Sequence, residues 1–109
     1  MSARYLIRPK ADQDLEEQAF YLAQQAGPEM GHRFLVAAHE TFTLLASKPG
    51  IVWHSRLNHP QLTDLRFFRI SGFEKMLVLY LPVSAGIEIL RVIHGSRNLM
   101  AIINREGLK

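Results

Sequence analysis

The sequence predicts an α+β domain whose elements follow the order β-α-α-β-β-β. Three observations support this prediction. A short β-prone run, Tyr5-Leu6-Ile7, precedes Pro9. Two stretches with helical spacing of apolar residues are divided by Gly27-Pro28, and three β-type runs in the second half are joined by short glycine-containing links. With 109 residues, the chain has the size of one domain, which we place at residues 1–109.

The two helical stretches are predicted to form an antiparallel hairpin, because the connection between them is very short. The first begins at Ala11 and carries acidic residues in its first turns, where negative charge complements the helix dipole. Gly27 ends it, and Pro28 suits the first position of the next helix. Residues 48–50, Lys-Pro-Gly, stop the second helix. The apolar stripes consist of Leu15, Ala19, Leu22 and Ala26 in the first helix and Met30, Phe34, Ala37, Ala38, Thr41 and Leu45 in the second.

Residues 65–70, 76–81 and 87–94 are predicted to form a small antiparallel meander, on which the N-terminal strand and the helical hairpin pack. Alternation places Ile87, Ile89, Arg91 and Ile93 on one face of the last strand, opposite Glu88, Leu90, Val92 and His94. It likewise places Leu65, Phe67 and Arg69 opposite Arg66, Phe68 and Ile70. Alternation leaves undecided which face of the sheet packs against the helices. Residues 51–63 are expected to be irregular, and residues 98–104 can form a short C-terminal helix with Asn98 as its N-cap.

Composition narrows the function classes. The chain has no cysteine, which excludes disulfides and thiolate metal sites and fits a reducing cytoplasm. No run approaches the roughly 18 apolar residues of a membrane span, so no membrane association is expected. The histidines form no zinc-ligand pattern, and we expect neither a metal nor another cofactor.

Charge is unevenly distributed along the chain. Residues 1–50 contain five basic and six acidic residues, whereas residues 51–109 contain eight basic and four acidic residues. The predicted strands therefore lie in a half with a net charge of +4. An acidic partner surface or a phosphate backbone would be attracted to that half, but ordinary solubility also explains the asymmetry.

Three cationic or titratable side chains lie within and just after the apolar run of the predicted last strand. Arg91 lies within the run, and His94 and Arg97 follow at its end, with Gly95 permitting a turn. We name Arg91, His94 and Arg97 the cationic strand exit. A structural role is open for Arg91, which has carboxylates at Glu88 and Asp14 as possible partners, and for His94, which can donate to a backbone carbonyl. The further candidate cations are Arg66 and Arg69, and Tyr80, within an apolar run, is expected in the core.

Four segments carry a resemblance to a known family. They are Ala11 with Asp14-Leu15-Glu16, residues 44–50 (Leu-Leu-Ala-Ser-Lys-Pro-Gly), Leu65-Arg66, and residues 89–97 (Ile-Leu-Arg-Val-Ile-His-Gly-Ser-Arg). In this order and spacing, over nearly the whole chain, they resemble the RelE/ParE toxin superfamily of bacterial toxin–antitoxin systems. The last segment is similar to the ParE branch in particular.

The resemblance implies one of two activities. RelE-like members are ribosome-dependent mRNA endoribonucleases that use basic residues and a C-terminal tyrosine, and in that case His94 and Arg97 would be the catalytic candidates. ParE-like members inhibit DNA gyrase by binding. The tail after Arg97 contains no tyrosine, and the hairpin where RelE-like enzymes place another arginine reads Phe73-Glu74-Lys75. We therefore expect a ParE-like toxin of a plasmid-stabilising type II system rather than an enzyme, with an inactive antitoxin-binding member as a third possibility.

The same resemblance implies the partners. We expect a cognate antitoxin, of a ribbon-helix-helix ParD-like type, in a hetero-oligomer in the cytoplasm, and DNA gyrase as the target. No sequence-specific binding of nucleic acid is expected of the chain alone. The residues expected to engage the target, or to be masked by acidic antitoxin residues, are Arg66, Arg69, Arg91, His94 and Arg97.

Overall fold

A computed structural model of the protein describes residues 4–47, 65–84 and 86–95. The predicted order β-α-α-β-β-β and the α+β class are confirmed. The predicted helix stop at residues 48–50, the irregular segment 51–63, the C-terminal helix at 98–104 and Arg97 lie outside the described residues. The elements are β1 (Arg4–Ile7), α1 (Pro9–Ala26), α2 (Pro28–Ser47), β2 (Arg66–Ile70), β3 (Phe73–Val83) and β4 (Gly86–His94).

The four strands form one sheet in the order β1-β4-β3-β2. The meander of β2, β3 and β4 is antiparallel, as predicted. β1 adds to its edge in parallel with β4, from Arg4 opposite Gly86 to Ile7 opposite Ile89, so the sheet is mixed. Gly86 allows this close approach, because a Cβ atom there would overlap the backbone of Arg4.

The first helix begins at Pro9, two residues before the predicted start at Ala11. Proline has a fixed φ and no N–H group, and both properties suit the first turn of a helix, whose N–H groups lack partners within the helix. Pro9 therefore both ends β1 and opens α1. At the other end, Gly27 has a φ of 101° and separates the two helices, as predicted. No helix among the described residues has the length and apolarity that crossing a membrane requires.

The hydrophobic core lies between the helical hairpin and one face of the sheet. Phe34 and Phe42 of α2 and Leu15 of α1 are fully buried against this face. Tyr80 belongs to the same core and is 3% exposed, which confirms its predicted place. The other face of the sheet is buried as well, at Leu65, Leu77, Leu79, Leu90 and Ile93.

β4 departs from the predicted strict alternation. Leu79 lies opposite Arg91 while Tyr80 lies opposite Ile89, so Leu90 is an extra residue in the ladder. After this bulge the phase of the strand changes. The core that contains Ile87 and Ile89 also contains Val92, and the prediction that Val92 shares a face with Glu88 and Leu90 is wrong. The bulge lies directly before Arg91, the first residue of the cationic strand exit.

Candidate functional site

An open groove with a volume of about 810 Å³ lies between α1 and the end of the sheet from which β4 leaves. α1 forms one wall, and the β2–β3 turn with the adjoining ends of β3 and β4 forms the other. Two residues of the cationic strand exit, Arg91 and His94, belong to its lining. The full lining is Asp14, Glu17, Gln18, Tyr21, Leu22, Gly72, Phe73, Glu74, Lys75, Met76, Arg91, Val92, Ile93 and His94.

Arg91 is held by Asp14 of α1. Its Nε donates to Asp14 Oδ2 at 2.7 Å, and its Nη2 donates to Asp14 Oδ1 at 3.0 Å. Both side chains are nearly buried, with exposed fractions of 7% and 11%. Of the two carboxylates considered for Arg91, Asp14 is therefore the partner, while Glu88 pairs with Arg8 at 2.8 Å.

The same carboxylate also binds the strand backbone. Asp14 Oδ2 accepts a hydrogen bond from the Val92 N–H at 2.9 Å. β1 pairs with β4 only as far as Ile89, whose carbonyl accepts a last hydrogen bond from the Arg8 N–H at 3.0 Å. Beyond that point Asp14 of α1 takes the place of a strand partner. Leaving a buried N–H group without an acceptor costs roughly 1–3 kcal/mol, so this contact stabilises the edge of β4.

The hydrogen bonds with Asp14 limit which groups of Arg91 could contact a partner. Its Nε and Nη2 donate within the fold, and its side chain is nearly buried in the groove wall rather than exposed on an open surface. A buried charge requires a paired and hydrogen-bonded counter-charge, which Asp14 supplies. In the described part of the chain, Arg91 therefore fastens the sheet to α1.

Arg66 and Arg69 do not lie beside the cationic strand exit. β3 separates their strand from β4, a distance of about 10 Å at ordinary strand spacing. Arg66 lies opposite Tyr80 and Arg69 lies opposite Leu77, so the two arginines are on opposite faces of β2. Arg69 is exposed, and its Nη1 donates to the Glu74 carbonyl at 2.6 Å, which ties it to the β2–β3 turn.

Burial of Tyr80 raises the pKa of its phenol above 10.0, and the charge of Arg66 partly opposes that shift. The side chain is therefore a neutral core group at physiological pH. A tyrosine in this position is packed into the protein and does not offer an exposed proton donor or acceptor.

His94 and Gly95 form the described end of β4. His94 is half-buried, lies opposite Met76 and contributes to the groove. The Gly95 N–H donates to the Lys75 carbonyl at 2.6 Å, which holds the exit against β3. The role of His94 as a donor to a backbone carbonyl stays a prediction, as does the binding role of the arginines.

The aromatic residues on the outer side of α1 were not among the candidates predicted from the sequence. Phe20 is 65% exposed and Tyr21 is 55% exposed, and Tyr21 lies at the edge of the groove. Both residues fall outside the apolar stripe predicted for this helix. Aromatic residues off that stripe were a signal in the sequence that they would be exposed. Exposed aromatics next to a groove are typical of protein-binding surfaces. Across residues 4–47, 65–84 and 86–95, no group of three or more metal-ligating side chains is assembled.

Comparison with known proteins identifies the family. The family model for the ParE toxin of the type II toxin–antitoxin system parDE matches residues 5–99. The chain belongs to the ParE toxin family. The match spans β1, the hairpin, the groove and the strand exit, so the contact between Asp14 and Arg91 is part of a ParE domain. A search of curated proteins found no match.

A solved structure supports the ParE fold. A chain of the chromosomal ParDE TA system from P. aeruginosa is similar over 86% of this chain and 95% of its own length. Its TM-score is 0.70 and its sequence identity to this chain is 18%. At this identity the similarity concerns the arrangement of helices and strands and not individual side chains.

Proposed function

We propose that this ParE toxin acts in the cytoplasm by binding DNA gyrase, without catalysing a reaction, and that a cognate antitoxin neutralises it. Family membership supports the toxin class. The observation that carries the non-catalytic part of the proposal is the contact between Arg91 and Asp14, which commits the first cation of the strand exit to the fold.

Metal-free RNA cleavage requires a proton acceptor, a proton donor and cations that stabilise the charge of the transition state. In the described ranges, Arg91 is engaged with Asp14 and Tyr80 is buried. Arg66 and Arg69 lie on another strand and on opposite faces of it. This arrangement supports a binding surface over a nuclease site. The remaining exit residues, His94 and Arg97, are then contacts for the target or for the antitoxin.

The antitoxin is proposed to occupy the groove between α1 and the sheet. The groove has carboxylates at Glu17 and Glu74, cationic or titratable groups at Lys75 and His94, and an aromatic edge at Tyr21. A partner segment that is both apolar and charged fits such a lining, either as a helix in the groove or as an added strand. The solved ParDE system from P. aeruginosa supports a partner of the ParD kind, which we place in a hetero-oligomer with this chain.

Replacement of Arg97 by Ala tests the binding role of the strand exit in cells. We expect weaker growth arrest on induction with no loss of folding, because the proposal gives this cation a role in partner contact and none in the core. Arg33→Ala removes an exposed arginine from α2, outside the groove lining, and serves as the matched control. Unchanged growth arrest by a stably folded Arg97→Ala variant would remove Arg97 from the proposed surface.

The effects of inducing this protein in cells distinguish the candidate activities. Filamentation, an SOS response and trapped gyrase–DNA complexes are expected of the proposed function. Early mRNA cleavage at ribosomes would instead identify a RelE-like endoribonuclease. A folded protein that causes no growth arrest would identify a member that only binds its antitoxin.

A further inference from the structure

We infer that Asp14 is a positioning residue, which holds the end of β4 so that His94 is presented to the partner. This inference rests on the proposed function, because it concerns how the proposed binding surface is kept in place. Asp14 itself is nearly buried and acts through the strand.

The geometry of the contact supports this role. One carboxylate accepts three hydrogen bonds, two from the Arg91 guanidinium at 2.7 and 3.0 Å and one from the Val92 N–H at 2.9 Å. A side-chain pair alone would fix only the end of a flexible arginine. The third bond fixes the backbone, two residues before His94.

The location of the contact explains why the end of β4 needs it. The bulge at Leu90 interrupts the ladder with β3, and pairing with β1 ends at Ile89. Asp14 therefore meets the strand just beyond a bulge, where β-strands bend and their twist increases. From Arg91 to Gly95 the strand runs along β3, ending in the bond from the Gly95 N–H to the Lys75 carbonyl. A shift at Val92 would be transmitted along this short segment to His94 and Gly95.

The chain supplies a matched control at the other end of β4. Arg8 Nε and Glu88 Oε2 form a second ion pair at 2.8 Å, which also joins the start of α1 to β4. Its side chains are 28% and 26% exposed, and it lies before the bulge. Glu88→Gln therefore removes an ion pair between the same two regions without touching the strand exit.

The experiment compares Asp14→Ala and Glu88→Gln with the wild-type chain. Inhibition of purified gyrase is measured per folded molecule, and hydrogen exchange is measured at the Val92 and Gly95 amides. For Asp14→Ala we expect inhibition about tenfold weaker and exchange at both amides about tenfold faster, each equal to ~1.4 kcal/mol. For Glu88→Gln we expect inhibition and exchange at these amides to stay at the wild-type level.

A double variant covers the case in which Asp14→Ala does not fold, because that substitution leaves the Arg91 charge buried. Replacing a buried ion pair by apolar residues of similar size often preserves stability. Asp14→Leu with Arg91→Met is expected to fold while leaving the Val92 N–H without its carboxylate. We expect it to show the same weaker inhibition and faster exchange.

Three results would overturn the inference. One is unchanged inhibition per folded molecule, the second is unchanged exchange at Val92 and Gly95, and the third is an equal loss of inhibition in Glu88→Gln. If the wild-type chain leaves gyrase active, the proposed function fails instead. Hydrogen exchange then decides by itself whether Asp14 holds the strand exit.

Discussion

Arg91 and Arg69 both lie in β-strands, but their side chains differ strongly in solvent exposure. Arg91 is nearly buried and bidentate with Asp14, whereas Arg69 is exposed and donates to one backbone carbonyl. Removing one partner of a buried ion pair leaves the other charge buried without compensation. The same truncation at an exposed site removes little.

Arg91→Ala is therefore predicted to lower the free energy of unfolding by about 3–5 kcal/mol. Arg69→Ala is predicted to change it by less than about 0.5 kcal/mol. Chemical denaturation of the two variants beside the wild type measures both values. Similar losses in the two variants would contradict a structural role that is specific to Arg91.

Tyr80 is predicted to lower the stability of the folded protein at alkaline pH. Burial raises the pKa of its phenol in the folded state above the unfolded value of 10.0. The unfolded chain then releases this proton at lower pH than the folded chain does. The stability that Tyr80 contributes is fully present below pH 10 and is lost as pH rises through the folded pKa.

Tyr80→Phe is expected to reduce this alkaline loss, because phenylalanine has no proton to release. The measurement is the free energy of unfolding between neutral pH and pH 11, with Tyr21→Phe as the control at an exposed tyrosine. An equal alkaline loss in the Tyr80→Phe variant and the wild type would refute the role of this phenol.

At the residue scale, the partner of Arg91 was among the candidates that the sequence offered, but the sequence did not decide between them. It offered Asp14 and Glu88 as partners of Arg91, and it placed Tyr80 in the core. The contact between Asp14 and Arg91 joins residues 77 positions apart, so it depends on how α1 lies against β4. Local spacing contains no information on that packing.

At the element scale, the two helices approach closely at Gly31. A methyl group at this position would lie 2.6 Å from the Ala19 carbonyl oxygen and 3.3 Å from the Ala23 Cβ. Carbonyl oxygens of a helix cannot move aside cheaply, so the hairpin would have to separate. Overpacking of this kind costs about 1–3 kcal/mol, which exceeds the gain in helix propensity on replacing glycine by alanine, at most about 1 kcal/mol.

Gly31→Ala is therefore predicted to destabilise the protein by about 1–2 kcal/mol. Thermal or urea unfolding measures the change, and Arg33→Ala, at an exposed position two residues along α2, is the control. A stability equal to or above that of the wild type would mean that the helices are not limited by this contact.

The element order was predictable because the hydrophobic period changes clearly along the chain. Glycine and proline mark the changes, at Pro9, Gly27 and Pro28. The parallel pairing of β1 was not predictable, since a four-residue strand has no pattern that selects its neighbour. The bulge at Leu90 was missed because strict alternation was assumed in an apolar run.

At the scale of the whole molecule, the sequence predicted the family, and two of the residues that it singled out, Arg91 and His94, lie in the groove. The resemblance to the ParE branch agrees with the family match over residues 5–99. The groove was not predictable in its lining, because its walls come from α1, the β2–β3 turn and the end of β4. These segments meet only through the fold. Arg91 and His94 could be singled out from the sequence because they lie within and at the end of an apolar run.

The central claim is that this ParE domain is a gyrase-binding toxin. Its most direct test is a supercoiling assay with purified gyrase and the purified chain, with and without the cognate antitoxin. We predict that the chain blocks supercoiling and that the antitoxin restores it. Full gyrase activity in the presence of a folded, antitoxin-competent chain would contradict the claim.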